Sequence, residues 1–470
     1  MASSITSFFT APTPASTPVD VTASPPRIRK MTPEERESHV DAMFRGASLV
    51  QQEIWLREMP KGADIHLHLS GGIHYDKLYR WANKYNLFYD PVKGVFSQTN
   101  HDGFIPAKDL PNNPEMYEKF CNDASLRAYS VVNQQTGHDL FMYKSFSVIG
   151  SILNVVPLEK QVKWMLKTCK RQNINYLELM VSLNALKQMT GSVERKEGDP
   201  VVRYIVEISR KQPDDAVFEE QVREAVKLIK DNPDIVSFNI VGPEDNPISQ
   251  QHFKAQIAII DRIWRETVPQ IPLTLHGGEL GSHLCSSDYS STRIQETHIE
   301  GVKRMGHAAS IDLETNAQQL VDDIVGRKTA LEICLTSNER LLHLVGERHP
   351  LNWYIENGVP IVLCSDDPGV SLADLTAQYV IAMTRHHLSY KTIKEINGNG
   401  LGFSFLPGES IFVDQNTREL KPLFRGLDDD HWVPTPEVEA FLKSSEKATL
   451  QVKLERALVN FEMKLVGRCY

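Results

Sequence analysis

The stretch Ala63-Asp64-Ile65-His66-Leu67-His68-Leu69 sets two histidines two residues apart inside a short apolar run. In a strand alternate side chains share a face, so both imidazoles project the same way. Two same-facing imidazoles at the end of a buried strand make half of a divalent-metal site, and zinc is the usual occupant. An H-x-H alone is a weak signal. Its meaning depends on what the rest of the chain supplies.

Further apolar runs end in polar groups of the complementary kind. Ile271–Leu275 leads into His276-Gly277-Gly278-Glu279, where the glycines allow a tight turn and leave a metal-competent histidine and a proton-carrying glutamate at a strand end. Arg304-Met305-Gly306-His307 sets another histidine just past a short strand, and Leu331–Leu335 runs into Thr336-Ser337-Asn338, read as turn residues. Pro360–Ser365 ends in the adjacent carboxylates Asp366 and Asp367. Paired acids at the end of a buried strand are costly unless a cation or a hydrogen-bond donor meets them. One suits a metal, and the other is then free to hold substrate or a water.

Three more β-branched apolar runs, at Ile174–Val181, Val201–Ile208 and Asp234–Val241, bring the candidate strands to the eight of a (β/α)₈ barrel. Amphipathic stretches alternate with them at Leu158–Arg171, Phe218–Asp231, His252–Glu266, Asn316–Ile324 and Leu351–Glu356. The expected fold is therefore an α/β TIM barrel whose polar clusters all fall at C-terminal strand ends, where such barrels place their chemistry. A helical insertion between the first and second strands, Gly72 to Asn173, is too long for a plain connection. Its segments Ile73–Tyr85, Glu115–Tyr129 and Leu140–Ile149 are expected to form a cover over the site or added packing.

The order of these pieces resembles the adenosine/AMP deaminase family of zinc hydrolases. The likeness rests on H-x-H-L-x-G at His66–Gly71, H-x-G-E at His276–Glu279, R-x-G-H at Arg304–His307, E-x-C-x-x-S-N at Glu332–Asn338 and S-D-D-P at Ser365–Pro368. It implies that His66, His68, His276 and Asp366 bind one Zn²⁺ per subunit. It also implies that Glu279 protonates purine N1, that His307 orients and helps deprotonate the attacking water, and that Asp367 hydrogen-bonds the purine and that water. His68, Ser70 and the backbone of Gly242 complete the substrate contacts. The implied reaction is hydrolytic deamination of adenosine or 2′-deoxyadenosine, with hydroxide attacking C6 and ammonia leaving. The thiolate zinc site of cytidine deaminases is excluded, because no C-x-x-C occurs.

Two positions depart from the pattern. Ser70 stands where the family often has an acid that meets the ribose 5′-hydroxyl, which keeps AMP or an N6-substituted adenine compound as an alternative substrate. Leu335 replaces the usual proline of C-P-x-S-N. Met59–Gly62, Asn399–Pro407 and an amphipathic helix over Lys447–Leu465 resemble the longer, growth-factor-related branch of the family, which implies free adenosine as substrate and a homodimer. No Lys/Arg cluster of the kind a nucleotide phosphate needs is legible near the strand ends. Other classes are a different metal hydrolase on the same barrel, or a non-catalytic binding relative; the latter is disfavoured because every ligand and catalytic position is filled. Among the remaining histidines, His283 and His298 are the first candidates for substrate contact.

The 470 residues exceed a barrel of about 250 by enough for a cover and terminal extensions. A net charge of −9 argues against a nucleic-acid partner. No apolar stretch is long enough for a membrane span, and the six scattered cysteines form no disulfide framework. Residues 1–31, rich in Ala, Ser, Thr and Pro, are expected to be a disordered extension, with residues 32–470 forming the barrel domain. Thr32 is expected to cap a helix over Pro33–Leu56. Lacking a Sec-type signal, the chain is expected to be cytoplasmic, or else exported by a route not readable from its N-terminus.

Overall fold

The computed structural model describes residues 31–129, 134–189 and 191–467; the expected disordered extension, apart from Met31, lies outside them, as does Cys469. Eight strands carry the architecture: β1 Lys61–His68, β2 Ile174–Ser182, β3 Val201–Ser209, β4 Ile235–Val241, β5 Leu273–Gly277, β6 Val302–His307, β7 Ala330–Ile333 and β8 Ile361–Leu363. All eight coincide with the runs read from the sequence. They form two four-stranded parallel sheets, ordered β1-β2-β3-β4 and β8-β7-β6-β5. Most of these strands are buried along nearly their whole length and read as continuous apolar runs rather than alternating ones, β3 excepted, where Val201, Arg203 and Glu207 are partly exposed and Ser209 is exposed.

The two sheets meet at two seams, and at neither does a regular ladder continue. At the first, the Asp366 amide donates to His66 O (2.9 Å) and the His68 amide to Asp366 O (3.0 Å), giving the single parallel bridge Leu67↔Asp366. At the second, β4 side chains stand in for main chain. Ser237 Oγ donates to Pro272 O (2.9 Å) and accepts from the Thr274 amide (3.3 Å), while Asn239 Oδ1 accepts from the His276 amide (2.8 Å). The single eight-stranded ladder expected from the sequence is thus interrupted twice: at the first seam pairing is reduced to one bridge, and at the second Ser237 and Asn239 side chains of β4 take the hydrogen bonds of the β5 main chain.

Helices Asp215–Asp231, Pro247–Glu266, Ala317–Gly326 and Leu351–Glu356 connect successive strands, with Leu158–Lys170 leading into β2. The expected N-terminal helix is two helices, Pro33–Gly46 and Leu49–Glu58, separated where Ser48 caps the second. Thr32 does cap the first, in a capping box with Glu35. Thr336–Asn338, expected as turn, instead lie in helix Leu335–Leu342. The insertion after β1 carries an unanticipated three-stranded antiparallel sheet (Phe88–Asp90, Val95–Ser97, Ile105–Pro106) as well as helices. Helix Glu446–Gly467 packs against Tyr390–Gly402 and closes the end of the sheets away from the site. Cys334 and Cys364 are buried free thiols, as expected for strand fillers. Among the described residues no single helix is long and apolar enough to cross a membrane.

Candidate active site

The C-terminal strand ends bring together the residues expected as metal ligands and catalytic groups. His66 and His68 end β1, His276 is near the end of β5, His307 ends β6, and Asp366 and Asp367 follow β8. His68, Ser70, Gly242, His276, Glu279, Asp366 and Asp367 line one cavity of about 250 Å³. His66 and His307 are fully buried and lie beneath it.

Each of three histidines is oriented by an acceptor on its Nδ1. Glu332 Oε2 is 2.6 Å from Nδ1 of His66, Glu207 Oε1 is 2.7 Å from that of His68, and Asn239 Oδ1 is 2.9 Å from that of His276. An acceptor on Nδ1 places the ring proton there and leaves Nε2 as a lone pair. The three Nε2 atoms then face one another. His66 Nε2 is buried without a hydrogen-bond partner, and the Nε2 atoms of His68 and His276 stand 3.4 Å apart. Asp366 Oδ1 lies 3.7 Å from His66 Nε2 and 3.5 Å from His68 Nε2. Facing lone pairs beside a buried carboxylate repel unless a cation sits among them, so the donor set fits a divalent metal ion.

The electrostatics agree. Burial works against a charged His68, yet Asp367, Glu207 and Asp366 outweigh it and raise the imidazole to about 10, a field that favours positive charge at this point. Burial alone would raise the Asp366 carboxyl, but His307, His66 and His68 bring it below its ordinary value. Glu279 is pushed well above the carboxylate range by burial and then by Asp366 and Glu244. Asp367 is raised chiefly by burial as well, opposed by His68 and reinforced by Asp366.

His307 is held differently. The Leu351 amide, which can only donate, points at His349 Nδ1 (3.1 Å), so His349 carries its proton on Nε2 and donates it to Asn338 Oδ1 (3.0 Å). Asn338 Nδ2 must then donate to His307 Nδ1 (3.1 Å), which leaves the His307 proton on Nε2. That atom lies 3.7 Å from Glu279 Oε1 and has no protein hydrogen bond. Burial brings the imidazole down to about 3, so it is neutral.

Backbone strain is concentrated here. His307, Ala308 and Asp366 have φ of 63°, 47° and 62°. Left-handed non-glycine residues each cost on the order of 1–3 kcal/mol and persist where surrounding structure fixes them. Two glycines make room. A Cβ on Gly71 would lie 1.6 Å from Asp367 Oδ1, and one on Gly306 would lie 2.6 Å from His66 Cε1.

A layer of support was not assigned from the sequence. Arg304 donates to Glu332 Oε1 and to Glu178 Oε2, both at 2.5 Å, and stacks on Phe405 with its guanidinium 3.7 Å from the ring centre. Burial would raise Glu332, but Arg304 and His66 bring its carboxyl down to about 2, so it stays ionised. Arg210 Nη1 is 3.2 Å from Glu244 Oε1, and Glu244 accepts from the Gly278 and Glu279 amides (3.3 and 3.2 Å), fixing the turn that presents Glu279. Polar residues inside apolar strands were the available signal, because a buried charge demands a partner. Phe141, Met142 and Phe146 of the insertion supply the apolar wall of the cavity. The two further candidate histidines do not line it. His298 is buried against Thr329 Oγ1 (2.8 Å), and His283 stacks on His343 with ring centres 4.2 Å apart.

Strand-end imidazoles and carboxylates around a metal-competent centre, with a separate acid and a cavity above, define a metal-dependent hydrolase. The adenosine deaminase family model matches residues 161–411, more than half of the chain. The chain belongs to the adenosine deaminase family, hydrolases acting on adenine compounds. It is 27% identical over 335 residues to an adenosine deaminase-like protein of Drosophila pseudoobscura pseudoobscura, covering 70% of this chain and 86% of that one. It is 23% identical over 366 residues to the N6-methyl-AMP deaminase of Danio rerio, covering 76% and 93%. A Burkholderia ambifaria amidohydrolase with bound Zn superposes with a TM-score of 0.52 at 15% identity, covering 85% of this chain and 94% of that chain, and places the fold in the TIM-barrel type.

Proposed function

We propose that this chain catalyses zinc-dependent hydrolytic deamination of adenosine or 2′-deoxyadenosine, yielding inosine or deoxyinosine and ammonia. The observation that carries this reading is the convergence of three imidazole lone pairs and a carboxylate beneath a cavity whose wall holds a second acid, Glu279. In this reading His66, His68, His276 and Asp366 hold one zinc ion, whose Lewis acidity makes water nucleophilic near neutral pH. Glu279 gives a proton to purine N1, which draws electron density from C6. His307 aims Nε2–H at the attacking oxygen and holds it in place rather than helping to deprotonate it, as the resemblance implied, and Asp367 hydrogen-bonds the water and the base. The Gly242 backbone meets the opposite edge of the purine, while Ser70 and His68 face the sugar. Of the two water protons one restores Glu279 and the other passes to the amino group, so ammonia leaves the tetrahedral C6, an oxo group remains there and N1 keeps the proton it received. The two sheets act in this reading as halves of one (β/α)₈ barrel, joined at the Leu67–Asp366 and Ser237–Asn239 seams.

A second reading, deamination of AMP or an N6-substituted adenine nucleotide, is favoured by two observations. Ser70 is uncharged, and Lys211 lies on the cavity wall, the one Lys or Arg among its described lining residues. The test is ammonia release from purified protein given adenosine, deoxyadenosine, AMP and N6-methyladenosine in parallel, with Glu279→Gln as control. Turnover of adenosine that disappears in the variant supports the proposal. Zinc binding without turnover of any of the four overturns it.

A further inference from the structure

The end of β3 presents its side chains alternately, as strand geometry requires. Glu207, Ser209 and Lys211 line the cavity, whereas Ile208 is buried and Arg210 turns inward to Glu244. Glu207 is the notable member of this row. One of its oxygens, Oε1, is taken by His68 Nδ1 at 2.7 Å, and among the described residues no protein group donates to the other. The Glu207 side chain is 15% exposed and lines the cavity together with Ser70 and Asp367. The free oxygen of Glu207 on this wall accepts a hydrogen bond from a hydroxyl well and opposes a phosphate dianion. Lys211 sits at the exposed outer end of the row, with no carboxylate within 4.0 Å among the described residues.

We infer that Glu207 is a specificity-determining residue: it accepts a hydrogen bond from a sugar hydroxyl of the substrate, so the site selects unphosphorylated nucleosides. This rests on the deaminase reading above and names the substrate class within it. It also assigns an acid to the sugar although position 70 carries none.

The experiment compares kcat/KM of the zinc-loaded full chain for adenosine, its 2′-, 3′- and 5′-deoxy analogues and AMP, in wild type, Glu207→Gln, Glu207→Ala and Lys211→Ala. Calorimetric binding of inosine and the matching deoxyinosines is measured alongside. A hydrogen bond to a charged acceptor predicts that one deoxy analogue falls about 10- to 100-fold below adenosine in wild type. That penalty shrinks to a few-fold in Glu207→Ala and by an intermediate amount in Glu207→Gln, which keeps an acceptor for His68. Inosine binding follows the same pattern. If the Glu207 variants lose equally on every analogue, Glu207 acts only by orienting His68 and the inference fails. If wild type prefers AMP and Lys211→Ala removes that preference, the inference fails as well. Absence of turnover with all substrates overturns the deaminase reading separately, and the inosine series still tests Glu207.

Discussion

Asn338 donates a side-chain N–H to Nδ1 of His307 across 3.1 Å, and this one bond decides which face of the imidazole carries the proton. The relay behind it starts at a backbone amide of Leu351, whose donor role is fixed, and passes through His349. His307 therefore offers Nε2–H to the cavity floor as a hydrogen-bond donor. In Asn338→Asp the relay is broken, because a carboxylate at this position pulls the proton to Nδ1. We predict a fall in kcat on the order of 10³-fold or more, the scale seen when a catalytic histidine is locked in the wrong tautomer. Steady-state kinetics beside a melting curve checks this, and unchanged kcat would mean the tautomer is immaterial.

Gly71 has no room for a methyl group, since its Cβ would occupy the position of Asp367 Oδ1. Gly71→Ala is expected to displace Asp367 and lower kcat/KM by about 100-fold, as a misplacement of about 1 Å does. Zinc content measured by atomic absorption should stay near wild type, because the four proposed ligands are untouched.

Arg304 lies between two buried carboxylates, Glu178 and Glu332. Replacing it by Met leaves both uncompensated, and a cost of about 3–5 kcal/mol in unfolding free energy is expected. Denaturant titration reads this directly. The triple variant that also carries Glu178→Gln and Glu332→Gln should recover part of the loss.

Metal removal should act on stability as well as on turnover. Chelation is expected to abolish ammonia release and to lower the melting temperature, with both restored by zinc. At a free zinc concentration of 100 times Kd the stabilisation is about 2.7 kcal/mol. A melting curve indifferent to zinc would contradict the proposed ligand set.

His298 sets an acid limit far from the cavity. Burial, then Arg327, bring its imidazole down to about 4 against the opposing pull of Asp323. The folded chain binds fewer protons at this site than the unfolded chain between about 4 and 6.5. The contribution is therefore fully present above pH 6.5 and is lost as pH falls toward 4, by at most about 1.4 kcal/mol per pH unit. His298→Asn should flatten the slope of unfolding free energy against pH in this window. An unchanged slope would place the acid sensitivity elsewhere.

The residues that meet the cavity were legible because each ends an apolar run, and a polar group there has few bland explanations. All eight strands were recognisable for the same reason. What stayed hidden depends on partners far away in sequence. Glu207 and Asn239 read as ordinary strand residues until His68 and His276 appear beside them. The seams at Ser237 and Asp366 follow from side-chain and bridge geometry that no periodicity reports. The helix over Leu335–Leu342 was obscured by Thr336, Ser337 and Asn338, weak helix formers that tertiary contacts override: Thr336 pairs with Gln378, and Asn338 with two histidines.

The bridge between Leu67 and Asp366 joins residues from opposite ends of the central fold. During synthesis the ribosome delivers His66 and His68 some three hundred positions before Asp366, the aspartate proposed to complete their set. A nascent or truncated chain lacking the last strand thus carries imidazoles without their carboxylate, and its first sheet has an open edge. On the proposed ligand set, tight metal capture requires that translation has passed Asp366 and that the segment after β8 has met β1, so metal retention is expected to separate chains folded past this bridge from shorter ones.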